Sequence, residues 1–163
     1  MKRSIFLLLL LAVLSNLAAH GQAPQAKPDF SGTWVFNAQK SALKIPPPTS
    51  MTLQIDQKDP QITFNRTQVY GDQNYSWKLD TVADGQKVTV ENSPGYTTNS
   101  RVYWQGNAII IDQKIIATDG TQVTDQVTYS LADGGKTLEA VERQVTAGAK
   151  GSTTNKWVYE KKP

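Results

Sequence analysis

The 163-residue chain has no cysteine and one histidine, His20. Without cysteine there is no disulfide framework, no thiol nucleophile and no thiolate metal site. Beyond His20 neither a Ser-His-Asp triad nor a histidine-ligated zinc site can be assembled. Charge is sparse as well, at 19% of residues, and the only Lys/Arg run after the first residues is Lys161-Lys162. That leaves no electrostatic case for nucleic acid, and no basic amphipathic helix suggests a membrane surface. The run Asp133-Gly134-Gly135 precedes a strand pattern rather than a helix, so it is not read as a phosphate loop. The turn aspartates Asp72, Asp84, Asp119 and Asp133 lie in no twelve-residue calcium loop. No cofactor and no metal are expected.

What is present begins with an address. Lys2 and Arg3 precede an unbroken apolar run from Ile5 to Leu14, and small residues follow Ser15 and Asn16. This is the pattern of a secretory signal peptide, residues 1–21, with Ala19 and Gly21 satisfying the small-residue positions before the cut. Cleavage after Gly21 removes His20. It also removes two of the 17 basic residues and none of the 14 acidic ones, so the formal net charge falls from +3 to +1. A membrane-spanning helix needs ~20 apolar residues, more than this run offers, so no stable membrane insertion of the mature chain is expected. The expected location is secreted or periplasmic. Residues 22–29, rich in Gln, Ala, Pro and Lys, read as a flexible leader, and residues 30–161 as a single domain. A monomer is expected.

From Phe30 onward nearly every segment alternates apolar and polar with period two and ends at a turn signal. Ten strands are predicted, over 31–37, 50–57, 61–70, 74–83, 86–92, 97–105, 108–118, 121–132, 136–147 and 152–160. No window keeps a helical period for ten residues. Ala38 to Leu43 could make one helical turn, stopped by Pro46-Pro47-Pro48. The two-residue loop Asp84-Gly85 suits a type I′ hairpin, which pairs Leu79 with Val90 and Thr81 with Val88. The loop Gly106-Asn107 pairs Trp104 with Ile109 and Val102 with Ile111. A three-residue loop, Thr118-Asp119-Gly120, is preferred to a two-residue one because it aligns Ile109, Ile111 and Ile115 with Tyr129, Val127 and Val123. The fold class is therefore all-β. It is an antiparallel up-and-down meander of about ten strands closed as a lipocalin-like barrel, with a two-sheet sandwich as the alternative. The predicted core is Trp34, Phe36, Leu53, Ile55, Ile62, Phe64, Trp77, Leu79, Val90, Trp104, Ile109, Ile111, Val127 and Tyr129.

The opening Phe30-Ser31-Gly32-Thr33-Trp34 resembles the first strand of the calycin barrels, the lipocalins and the intracellular fatty-acid-binding proteins. The closing Trp157-Val158-Tyr159-Glu160-Lys161 is similar to their last strand. The resemblance implies a barrel around a cavity for a small apolar molecule, with the first-strand Trp packed at the closed end. Two family features have no counterpart. The segment from Val35 to Ser50 is too short for a helical lid, and Trp157, preceded by Lys156, replaces the arginine of the carboxylate clamp. The opening, with Asn37, Lys40 and Ser41, also resembles uncharacterised secreted β-proteins of soil bacteria, which implies compartment and fold but no activity.

Four polar residues fall on otherwise apolar faces: Arg66 after Ile62 and Phe64, Gln113 between Ile111 and Ile115, Asp125 between Val123 and Val127, and Arg143 between Val141 and Val145. Inside a barrel such groups must be paired or solvated. They are either structural pairs or a polar patch that orients the head group of a ligand, for which arginine is suited. If Asp133-Gly134-Gly135 is the whole loop, Asp125 lies directly opposite Arg143 as an internal salt bridge beside Gln113. A four-residue loop is the rival, read as pairing Asp125 with Glu142, and the repulsion of two facing carboxylates counts against it. The four tryptophans are expected in the core. The patterns Asn65-Arg66-Thr67 and Asn74-Tyr75-Ser76 match glycosylation sites and are taken as chance.

Three functional classes stand. The first is an exported barrel binding a small hydrophobic, amphipathic or anionic ligand. The second is a structural or interaction domain with a filled core. The third, disfavoured, is a hydrolase using a carboxylate pair such as Asp125 with Glu142. No catalytic residue stands out, and an enzyme is not expected. The barrel interior discriminates among them.

Overall fold

The alternating segments form ten strands in the computed structural model, which describes residues 26–163. They are β1 (Gly32–Phe36), β2 (Ser50–Lys58), β3 (Gln61–Tyr70), β4 (Gln73–Val82), β5 (Val88–Ser93), β6 (Tyr96–Gln105), β7 (Ala108–Ala117), β8 (Gln122–Ala132), β9 (Thr137–Thr146) and β10 (Thr153–Lys161). The segment read as a signal peptide and the first half of the leader lie outside the described residues. All strands pair antiparallel in one sheet of order β4-β3-β2-β1-β10-β9-β8-β7-β6-β5. Every strand thus pairs with its sequence neighbours except β4 with β5, and β1 meets β10 to wrap the meander into a nearly closed barrel. This is the predicted fold class. The helical turn considered after Asn37 is a single turn over residues 38–40, in which the Asn37 side chain accepts from the Lys40 N–H at 3.1 Å. Residue Ala42 then bridges to Lys156 on β10.

Two of the predicted turns hold. Trp104 pairs with Ile109 around Gly106-Asn107. The loop 118–120 sets Ile109, Ile111 and Ile115 against Tyr129, Val127 and Val123, with Gly120 at φ 86° in the left-handed region.

Two do not. Strands β4 and β5 share no backbone ladder and instead form the two edges of the sheet. The Asp-Gly signal marks a crossing rather than a hairpin: the Asp84 carboxylate accepts from the N–H groups of Gln86 and Lys87, and the Gly85 N–H donates to the carbonyl of Val102 on β6. Leu79 therefore does not face Val90, nor Thr81 Val88. Val88 and Val90 point outward, 55% and 56% exposed, so Val90 leaves the core.

The second correction concerns β8 and β9. Their loop is four residues long, and it pairs Ala132 with Thr137 and Asp125 with Gln144. Arg143 pairs with Gln126 on the outer face. The expected Asp125–Arg143 bridge does not exist, because a one-residue slip sends every β9 side chain to the other face.

The dry core fills the end of the barrel where the chain enters and leaves. Phe30, Trp34, Leu53, Ile55, Phe64, Leu79, Val102, Ile109 and Leu138 are fully buried there. The indole N–H of Trp34 donates to the Phe30 carbonyl at 2.9 Å, and the Lys161 ammonium caps its ring at 5.2 Å. Gly32, at φ 139°, leaves room for that lysine, since a Cβ would sit 2.7 Å from its Cε. The leader contributes too. Lys27 lies 3.6 Å from the Asp59 carboxylate and 4.9 Å from the Trp104 ring, and Gln57 donates to the Pro28 carbonyl. Residues 27 and 28 thus make contacts with the barrel.

Candidate functional site

Moving along the inner face towards the opposite end, the lining changes from aliphatic to polar. On β3, Ile62 and Phe64 give way to Arg66 and Gln68. On β6, Val102 gives way to Ser100 and Thr98, and on β9, Leu138 and Ala140 give way to Glu142 and Gln144. This half of the barrel encloses a cavity of about 340 Å³ lined by Arg66, Trp77, Tyr96, Thr98, Ile111, Gln113, Ile115, Asp125, Val127, Tyr129, Glu142 and Gln144. A second recess of about 360 Å³ shares Arg66, Trp77, Tyr96 and Thr98 with it and runs outward to Tyr75, Glu91 and Ser93 at the seam between β4 and β5. Both volumes lie in the range of small-molecule sites.

Three of the four residues singled out from sequence, Arg66, Gln113 and Asp125, line this one cavity, and Arg143 does not. The Arg66 guanidinium lies 5.3 Å from the centre of the Trp77 ring, a cation–π arrangement. Among the described residues it has no carboxylate within 4.0 Å, and its buried Nε has no hydrogen-bond partner. Gln113 pairs with Asp125 across β7 and β8 and donates to the Ser100 hydroxyl at 2.9 Å. Asp125 is 5% exposed, and its Oδ1 has no partner. Burial, reinforced by the charge of Glu142, pushes its carboxyl up to about 7, against the opposing pull of the Gln144 amide and of Arg66.

Glu142 entered the sequence reading only as a carboxylate partner of Asp125 in the disfavoured alternatives, because the preferred register turned it outward. It faces inward and accepts from Asn155 Nδ2 at 2.8 Å, from the Trp157 indole N–H at 3.0 Å and from Gln144 Nε2 at 3.4 Å. Asn155, 1% exposed, accepts in turn from the Lys44 N–H at 2.7 Å, which fastens the proline-rich strap to the barrel. The signal that could have revealed Glu142 and Gln144 is the polar alternation of β9 itself, read as an inner face. Trp77, expected in the core, packs against its edge and also forms the cavity wall under Arg66, donating to the Glu91 carboxylate at 3.3 Å. Burial raises the pKa of Glu91 and that bond opposes the rise.

No family model and no curated protein sequence matches the chain. Its fold has solved counterparts. Secretory abundant heat soluble protein 4 from Ramazzottius varieornatus superposes with a TM-score of 0.56 at 15% identity, covering 86% of this chain and all of that one. Apo lipid binding protein 8 from Caenorhabditis elegans gives 0.52 at 16% identity, covering 82% and 95%. Zebrafish ileal bile acid-binding protein complexed with cholic acid gives 0.50 at 18% identity, covering 82% and 98%. The fold is that of the calycin-like barrels, as the two terminal strands implied. The resemblance to secreted β-proteins of soil bacteria finds no support in these comparisons.

Proposed function

We propose that the chain is an exported binding barrel that holds a small amphipathic ligand in the half-polar cavity, with an anionic or acceptor group of the ligand on Arg66. The observation that carries this reading is the unpartnered Arg66 guanidinium, held against Trp77 inside the cavity. A buried guanidinium N–H needs an acceptor, and the protein supplies none to Arg66 Nε among the described residues. The lipid-binding and bile-acid-binding proteins of similar fold agree with a ligand in such a barrel. A filled structural core is less favoured because the polar half is hollow. A hydrolase is less favoured because the Glu142 carboxylate is engaged by Asn155, Trp157 and Gln144 rather than free to act on a substrate.

Titration with 1-anilinonaphthalene-8-sulfonate tests the reading, since its sulfonate and rings match Arg66 and Trp77. Saturable binding is expected, weakened about tenfold or more by Arg66→Met with the melting temperature retained. Absence of saturable binding, or equal affinity in the variant, overturns it. Export is tested separately. The chain recovered outside the cytoplasm should begin at Gln22, and an intact Met1 in the membrane fraction overturns that part.

A further inference from the structure

The lining of the 340 Å³ cavity holds one cation, Arg66, and two carboxylic acids, Asp125 and Glu142. A purely anionic ligand placed on Arg66 would leave the carboxylates of β8 and β9, Asp125 being buried, uncompensated in the same cavity. Like charges there are costly.

The hydrogen bonds sharpen the point. Glu142 receives three donors from Gln144, Asn155 and Trp157. Asp125, on the adjoining strand, has an Oδ1 with no donor, although the residue is 5% exposed. Its register partner on β7, Gln113, donates to Ser100 rather than to it. The cavity therefore contains one open donor atom, Arg66 Nε on β3, and one open acceptor atom, Asp125 Oδ1 on β8. A native interior rarely leaves both open.

We infer that the cavity is a two-point site for a small zwitterion, whose carboxylate lies on Arg66 and whose ammonium lies on Asp125 with Glu142 behind it. This rests on the cavity being a ligand site and adds the second recognition point. A zwitterion leaves the charge balance of the lining unchanged while supplying each open group with its complement. Trp77, Tyr96, Ile111 and Ile115 line the same cavity and supply apolar contact for the chain between the two charges. The acidic point is proton-sensitive. The charged or titratable groups facing Asp125 are Arg66 from β3, Tyr129 from its own strand and Glu142 from β9. Burial and Glu142 favour its neutral form, so an ammonium is held best above neutral pH.

The test is displacement of 1-anilinonaphthalene-8-sulfonate by matched pairs: 6-aminohexanoate against hexanoate, and 8-aminooctanoate against octanoate. At pH 8 at least one zwitterion is expected to bind about tenfold or more tighter than its matched carboxylate. Asp125→Asn should remove that preference while leaving carboxylate binding in place. The wild-type protein at pH 5.5 should lose the preference too, which covers the case of a variant that fails to fold. If the anilinonaphthalene probe does not bind at all, the ligand-site reading fails and this inference with it. If the probe binds but the carboxylates compete as well as the zwitterions, or nothing competes, the ligand site stands and the two-point inference is overturned. A zwitterion preference that survives Asp125→Asn overturns the assignment to Asp125.

Discussion

The hydroxyl oxygens of Thr81 and Thr89 meet at 2.8 Å across the seam where β4 and β5 share no backbone ladder. With the Trp77–Glu91 bond at 3.3 Å, this contact closes the wall by side chains alone. A barrel normally removes its edges through continuous backbone pairing. Here two edges are left and pinned, and the outer recess opens beside the pins.

Because Thr81 is 3% exposed, Thr81→Val should cost about 1 kcal/mol by stranding the partner hydroxyl. The double change Thr81→Val with Thr89→Val should cost less than the sum of the two single changes, since neither hydroxyl then remains to be satisfied. A double-mutant cycle in urea measures the coupling. Additivity within about 0.3 kcal/mol would show that the seam is not held this way.

Glu142 is predicted to stabilise the fold through acceptance, not merely through charge. Glu142→Leu should cost roughly 2–4 kcal/mol, because it leaves the buried donors of Asn155 and Trp157 unmet. Glu142→Gln keeps an acceptor oxygen for them and should cost less than half as much. Equal and small effects, within about 0.5 kcal/mol as at an ordinary surface position, would place Glu142 outside the network.

The two registers that sequence reasoning missed share one cause. On β5 and β9 the inner face is polar, Thr89 and Glu91 on one and Glu142 and Gln144 on the other, while Val88, Val90, Val141 and Val145 lie outside. Apolar-inward patterning is reliable where it reports a dry core, as along β2, β3 and β7, and it inverts where the wall faces a polar cavity. Strand number and closure were legible because turn residues and period two do not depend on which face is buried. The site was half legible. Arg66, Gln113 and Asp125 interrupt apolar faces and so stood out, whereas Glu142 and Gln144 lie on a face polar enough to pass for the exterior. It follows that Arg143→Met should change stability by less than about 0.5 kcal/mol. The loss of several kcal/mol expected for an internal bridge to Asp125 would instead restore the rejected register.

The last prediction concerns the pH dependence of stability that Asp125 imposes. Its carboxyl is raised from the ordinary 3.8 to about 7, first by burial and then by the charge of Glu142. Between those two values the native state holds a proton that the unfolded chain has released. The slope of unfolding free energy with pH follows protons bound in the unfolded state minus those bound in the native state. It is therefore negative in this window. The contribution of Asp125 is fully present below pH ~4, declines as pH rises, and is lost above pH ~7. At ~1.4 kcal/mol for each pH unit, the span from 3.8 to about 7 amounts to roughly 4 kcal/mol as an upper figure. Asp125→Asn cannot ionise, so the difference between wild type and variant isolates this one group from every other titration. In urea unfolding measured from pH 4 to pH 8, the variant should gain steadily on the wild type and level off above pH 7. A difference that is flat across that range, or that grows in favour of the wild type as pH rises, would mean that Asp125 is solvated or paired and that its carboxyl is not the open acceptor of the cavity.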